Sequence, residues 1–277
     1  MIPKKLERVR VPQLLTMKQK AKKITMLTAY DATMASLLDR AGVDVLLVGD
    51  SLGTVILGYD TTLPVTLEAM IHHARAVTNG AQRALVVADL PFLTYQASIP
   101  EAVRNAGRLL QEGGAAAVKM EGGVPIADAA QRLVDVGIPV MGHIGLTPQS
   151  VHSLGGFRPV GRTRPEAEAV MEDARALQQA GAFAIVLESV PAHVAGAITR
   201  ELKIPTIGIG AGPACDGQVL VSYDAFGLFD TFVPKFVKQY AQLGEAMTAA
   251  AREYVADVQA GRFPGPEHTR SDPPQAK

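Results

Sequence analysis

Residues 115–123 read AAAVKMEGG, an apolar run that carries a lysine and a glutamate at its end. Side chains alternate across a β-strand, so Ala117, Lys119 and Glu121 share one face. Charged groups are seldom buried without partners or a task. Here a cation and an anion stand two residues apart, followed by Gly122-Gly123, where the chain can turn. In a barrel of parallel strands, the C-terminal strand ends are where active sites are built.

The same pattern recurs on both sides of this stretch. Apolar runs at residues 24–30, 43–48, 84–89, 138–143, 182–188 and 204–209 predict strands, with 218–222 as a short eighth. Helices are expected between them. Asp31 caps one through Arg40, and Thr66 opens another to Asn79-Gly80. Ser98-Ile99-Pro100-Glu101 and Thr163-Arg164-Pro165-Glu166 are capping boxes with Pro in the first turn. Residues 126–136, 192–201 and 234–258 complete the set.

Strands apolar on both faces belong to a parallel sheet covered on both sides. About eight strand–helix units in one chain of this length point to a (β/α)8 TIM barrel. The runner-up, a doubly wound open sheet, calls for a strand-to-helix phosphate loop early in the chain, and none is there. Residues 12–20, with Leu14, Leu15 and Met17, read as a helix that closes the barrel bottom. The expected organisation is an arm and capping helix over 1–23, a catalytic barrel over 24–260, and a disordered Pro- and charge-rich tail over 261–277. Residues 143–162 make a loop too long for an ordinary connection, hence a candidate lid.

Bulk properties narrow the function classes. The 277 residues are 48% hydrophobic and carry no net charge, which argues against nucleic acid or polyanionic partners. A single cysteine, Cys215, excludes an internal disulfide or a thiolate metal cage and suits a reduced, cytoplasmic setting. No run approaches the roughly 20 apolar residues that span a bilayer. Among the first 30 residues only Glu7 is acidic; a solvated basic arm fits this better than a transit peptide, whose Arg- and Ser-rich composition is not met.

Four acids fall at strand ends: Asp50, Asp89, Glu121 and Glu188. A barrel gathers those ends on one rim, where clustered carboxylates repel and need neutralising. A hard divalent cation does so; Mg2+ takes oxygen ligands and keeps waters that a substrate displaces. The lack of Cys and His beside these acids argues against zinc. Such an ion suits a chelating 2-oxo acid, whose adjacent C–H it acidifies. Glu188, on a more distant strand, is the candidate base, and Lys119 the group that neutralises a substrate carboxylate or developing oxyanion. Lys119 as a metal-free Schiff-base lysine is the weaker alternative. His143 is a candidate site-lining residue or a satisfied structural one. Adjacent His72 and His73 are expected at a surface or interface, and Cys215 in packing. Gly208, Gly210 and Gly212 fail the dinucleotide spacing but leave a phosphate- or flavin-binding barrel as a rival.

A set of motifs stands in order along the chain: TAYDA (28–32), LLVGDSLG (46–53), TLPVTL (62–67), ALVVADLPF (84–92), AVKMEGG (117–123), GHIGLTPQSV (142–151), FAIVLESVP (183–191) and IGIGAGPACDGQVLV (207–221). Together they closely resemble the 3-methyl-2-oxobutanoate (ketopantoate) hydroxymethyltransferase family, over roughly residues 10–260. The resemblance implies a barrel of the phosphoenolpyruvate/pyruvate superfamily. It implies transfer of a one-carbon unit from 5,10-methylenetetrahydrofolate to 3-methyl-2-oxobutanoate, giving 2-dehydropantoate for pantothenate and coenzyme A synthesis. It also implies that Asp50 and Asp89 hold Mg2+ with Glu121 close by or in its shell, that Asp50, Ser51, Asp89 and Lys119 contact the oxo acid, and that Glu188 accepts the proton. A homodecamer is the family's common assembly. The chain departs in having His72 where Tyr is usual and Ser189 where Cys is common; neither is one of the four acids. The nearest rival is a Mg2+-dependent carbon–carbon lyase or mutase of the same superfamily. Such enzymes typically use a lid-loop cysteine, and Cys215 lies after the seventh strand.

Overall fold

The computed structural model describes residues 7–156, 158–229 and 233–270. Eight parallel strands close into a barrel in sequence order. They are β1 (Ile24–Thr28), β2 (Val45–Val48), β3 (Leu85–Asp89), β4 (Ala117–Glu121), β5 (Val140–Gly145), β6 (Ala184–Glu188), β7 (Thr206–Ile209) and β8 (Gly217–Leu220). β1 pairs with both β2 and β8, so no edge is left open. The expected (β/α)8 barrel is the observed fold.

Alternation along each strand sorts the barrel interior. Ile24 and Met26 of β1, Val45 and Leu47 of β2, Leu85 and Val87 of β3, Ala117 of β4, Met141 of β5, Ala184 and Val186 of β6, Ile207 of β7 and Val219 of β8 form one buried apolar cluster. Leu14 and Met17, from the helix Val11–Gln19, belong to the same cluster. This helix therefore plugs the barrel bottom. Burying such side chains stabilises by about 1.5–3 kcal/mol each. The intervening strand residues face the helices. At Gly142 a Cβ would come 2.6 Å from Leu177 of the helix Arg164–Gln179, so glycine lets that helix approach β5.

Continuing the inward series upward from the apolar layers gives Asp89, Lys119, Glu121, His143 and Glu188. The register sets Asp89 beside Lys119, Glu121 beside His143, and Gly145 beside Glu188. The core is thus apolar below and ionisable above.

Other acids are committed to holding the frame. Asp39 accepts hydrogen bonds from the backbone N–H groups of Gln82, Arg83 and Ala84. Asp44 accepts from the Thr25 N–H and hydroxyl and pairs with Arg83 at 2.6 Å. Asp216 pairs with Lys18 at 2.7 Å and accepts from the Thr206 N–H.

Local sequence signals set several helix starts. Asp31 accepts from the Met34 N–H and Thr66 from the Ala69 N–H. Thr163 and Glu166 close a reciprocal capping box. Several boundaries differ from expectation. β5 runs two residues past His143, because its ladder with β6 continues to Gly145. Part of the long loop after it is taken up by a 3-10 turn, Pro148–Ser150, and a short helix, Val151–Leu154. The closing helix starts at Leu243, not 234.

Contacts divide the chain into two compact units, Met1–Ser222 and Tyr223–Lys277. The first holds all eight strands, the second the helix Leu243–Gln259. Of the tail expected to be disordered, residues 266–268 form a 3-10 turn, while 271–277 lie outside the described residues. No described helix is long and apolar enough to cross a membrane.

Candidate active site

Asp89 ends β3, Glu121 ends β4 and Glu188 ends β6; Asp50 stands two residues beyond β2. A connected polar network joins them. The Asp50 N–H donates to Asp89 Oδ2 at 3.0 Å. Lys119 Nζ lies 3.1 Å from Asp89 Oδ1 and 3.2 Å from His143 Nδ1. His143 Nδ1 is 3.3 Å from Glu121 Oε1, and its Nε2 is 3.1 Å from Glu188 Oε2. His143, within β5, thus lies between two carboxylates.

Accessibility separates these groups. The side chains of Asp89, Lys119, Glu121 and His143 are 3–5% exposed, whereas Glu188 is 17% exposed. Asp89 Oδ1 and His143 Nε2 are buried without an aligned hydrogen bond, despite their ion-pair distances. The contrast with Asp39 and Asp44 at the frame is direct: those carboxylates are saturated, and Asp89 is not.

Ser51 lies at the rim, with its hydroxyl 2.9 Å from the Tyr30 hydroxyl. His73, expected at a surface or interface, is half-buried, and its Nδ1 lies 2.6 Å from the Tyr30 carbonyl. His72 is exposed, as expected of one of the pair. Cys215 is buried.

The model of the family described as ketopantoate hydroxymethyltransferase matches residues 8–266. The chain belongs to the ketopantoate hydroxymethyltransferase family.

It is 59% identical over 262 residues to 3-methyl-2-oxobutanoate hydroxymethyltransferase of Moorella thermoacetica, covering 95% of this chain and 97% of that one. The same-named protein of Syntrophus aciditrophicus is 58% identical over 253 residues, covering 91% and 93%. Solved structures share the fold at low identity. Phosphonopyruvate hydrolase, in a complex with oxalate and Mg++, aligns with a TM-score of 0.61 at 12% identity, covering 93% of this chain and 92% of that one. 2,3-Dimethylmalate lyase, a PEP mutase/isocitrate lyase superfamily member, gives 0.58 at 20%, covering 96% and 92%.

Electrostatics in this hydroxymethyltransferase follow from burial and clustering. Burial, then Asp89 and Glu121, push the Asp50 carboxyl well above its ordinary range. Burial raises Asp89 too, although Lys119 opposes it. Burial works against the Lys119 ammonium, but Asp89, Glu121 and Asp50 outweigh it and hold the proton on. A lysine held this way is a poor Schiff-base nucleophile. Burial also opposes the Glu121 carboxylate, which His143 and Lys119 nevertheless keep below its ordinary range.

Burial and Lys119 disfavour a charged His143, yet the Glu121 and Glu188 carboxylates raise it from 6.5 to about 9. The folded state therefore binds this proton more tightly than the unfolded chain. The associated stability is complete below pH 6.5 and is lost as pH rises through about 9. Urea unfolding of the metal-free hydroxymethyltransferase is expected to show stability falling over that window. His143→Gln is expected to remove that part of the slope; an identical slope in the variant counts against the assignment.

Two further residues at the site, Tyr95 and Gln149, are buried and carry no local mark in the sequence. Neither is ionised at neutral pH and neither stands on a strand, so no alternation rule singles them out. The Tyr95 hydroxyl accepts from the Glu121 N–H at 3.0 Å. The Gln149 N–H donates to Glu121 Oε2 at 2.9 Å.

Proposed function

We propose that this enzyme transfers a one-carbon unit from 5,10-methylenetetrahydrofolate to C3 of 3-methyl-2-oxobutanoate, with Mg2+ held by Asp50 and Asp89 and Glu188 as base. The observation that carries this reading is the Asp50–Asp89–Lys119–His143–Glu188 network on one rim, buried except at Glu188. The names of the relatives support the acceptor.

The residues fit a hard cation. Asp89 Oδ1 is a buried oxygen without an aligned donor, and Asp50 resists ionising beside two other acids. Among the described residues no group of three or more His, Cys, Asp or Glu side chains is placed to hold a metal. Glu121, expected close by or in the shell, has its two oxygens against His143 and the Gln149 N–H. Two aspartates remain as ligands, which suits Mg2+, an ion commonly held by one or two carboxylates with water completing its shell. When bound, Mg2+ supplies Lewis acidity to the ketone and carboxylate oxygens of an oxo acid and so acidifies its C3–H.

The chain supplies the rest. Glu188 takes the C3 proton, since it is the acid that reaches the mouth and the ion pair with His143 orients it. Lys119 stays charged and offsets the carboxylate of the oxo acid, and Ser51 meets that substrate at the rim. C3 forms its bond to the donor's methylene carbon as that carbon gives up its two bonds to N5 and N10; water supplies the hydroxyl, and its remaining proton together with the one Glu188 took from C3 completes the two N–H groups of the departing tetrahydrofolate.

Self-assembly belongs to the same reading. The helix Leu243–Gln259 has no buried residue and exposes Leu243, Met247, Tyr254, Val255 and Val258, a surface that another copy would cover, in a decamer. A cytoplasmic setting accords with the buried free Cys215.

Proton NMR of 3-methyl-2-oxobutanoate with the folate donor tests the chemistry. Transfer is expected to stop with EDTA and return with Mg2+. Transfer that survives EDTA, with borohydride labelling Lys119 in the presence of the oxo acid, overturns the metal-dependent reading in favour of a Schiff base.

A further inference from the structure

We propose that Gln149 is a positioning residue of the oxo-acid site: its side-chain amide pins one Asp50 oxygen so that the other is presented to the cation. The inference rests on the metal reading given above and extends it to a residue outside the ligand set.

Gln149 belongs to the turn that follows β5, yet its contacts lie on three other strand ends. Nε2 donates to Asp50 Oδ2 at 2.9 Å and to the Leu90 carbonyl at 3.0 Å. Oε1 accepts from the Tyr95 hydroxyl at 2.8 Å and from Gln96 Nε2 at 3.0 Å. Its backbone N–H goes to Glu121 Oε2. Both amide hydrogens and both carbonyl lone pairs are therefore engaged.

That pattern also fixes which way the amide points. Turned over, the group would set Oε1 against the Asp50 carboxylate and the Leu90 carbonyl, and Nε2 against the donor of Gln96. Tyr95 reinforces the choice. Its oxygen accepts from the Glu121 N–H at 3.0 Å, and its hydrogen stands within reach of Gln149 Oε1 at 2.8 Å and of the Glu121 carbonyl at 2.9 Å, so an oxygen at the Gln149 position gains a donor that a nitrogen there would not.

A neutral donor suits this place. A lysine or arginine would hold Asp50 equally well but would compete with the cation for the same charge. An amide restrains the carboxylate and leaves its charge available. It also ties the β5 loop to the metal site, because Gln149 is fixed to Asp50 by its side chain and to Glu121 by its main chain.

The test uses Mn2+ as the probe, read by electron paramagnetic resonance on the full-length enzyme, with circular dichroism as the check on folding. Wild type is expected to bind Mn2+ and Asp89→Ala to lose it. Gln149→Met, which keeps the side-chain length, and Gln149→Asn, which keeps the amide but falls short of Asp50, are each expected to weaken Mn2+ binding about 10–100-fold. If Gln149→Met fails to fold, Gln149→Asn decides. A loss below about tenfold, with wild type binding and Asp89→Ala not, overturns the role of Gln149 alone. Wild type that binds no Mn2+, or Asp89→Ala that binds as wild type does, removes the metal reading and this inference with it.

Discussion

Glu188→Gln is expected to leave the oxo acid bound and to abolish exchange of its C3 proton with deuterated water. The amide matches the carboxylate in shape and still offers His143 an oxygen, but it cannot take a proton. No neighbour substitutes for it. Glu121 is held in its charged form by His143 and Lys119 and is buried, and Asp89 faces Lys119. A positioned general base contributes about 10²–10⁴-fold, so transfer to the one-carbon donor should fall by that factor. Proton NMR of the oxo acid in deuterated buffer with Mg2+ reads the first step without the donor. Exchange at the wild-type rate rejects Glu188 as the base, whatever happens to overall transfer.

Asp89→Ala is expected to act on both binding and stability. The wild-type carboxylate accepts the Asp50 N–H and lies against Lys119. Its removal leaves a buried ammonium with one fewer counter-charge. Breaking a buried pair in this way typically costs about 3–5 kcal/mol, and Glu121 and Asp50 nearby should hold the loss to the lower part of that range. Calorimetric titration with the oxo acid in the presence of Mg2+ is expected to show no binding. Asp89→Asn separates the two effects: it retains an acceptor for the Asp50 N–H but not the charge, so it should restore part of the stability and none of the metal-dependent binding. A titration of Asp89→Ala that matches wild type places Asp89 outside the metal site.

Both results depend on features that differ in how far they can be read from the chain. Ala117, Lys119 and Glu121 share a face by strand parity alone, and the structure continues that parity into an apolar barrel interior below and an ionisable rim above. The four strand-end acids were legible for the same reason, because each closes an apolar run. Asp44 shows where parity stops helping. It also interrupts an apolar run, yet it is saturated by Thr25 and Arg83. Its partner Arg83 is thirty-nine residues away in sequence, and no local rule pairs them.

Strand order, barrel class, several helix caps and the identity of the acids were determined by the sequence itself, since alternation and capping act over a few residues and leave their mark locally. Tertiary structure alone decided that His143 bridges Glu121 and Glu188, that Glu121 is occupied by hydrogen bonds, and that a loop glutamine reaches Asp50. It also set the chain from Tyr223 onward apart as its own compact unit. The physical reason is common to these cases: they depend on barrel closure, which brings strand ends and loops from distant parts of the chain within hydrogen-bond range.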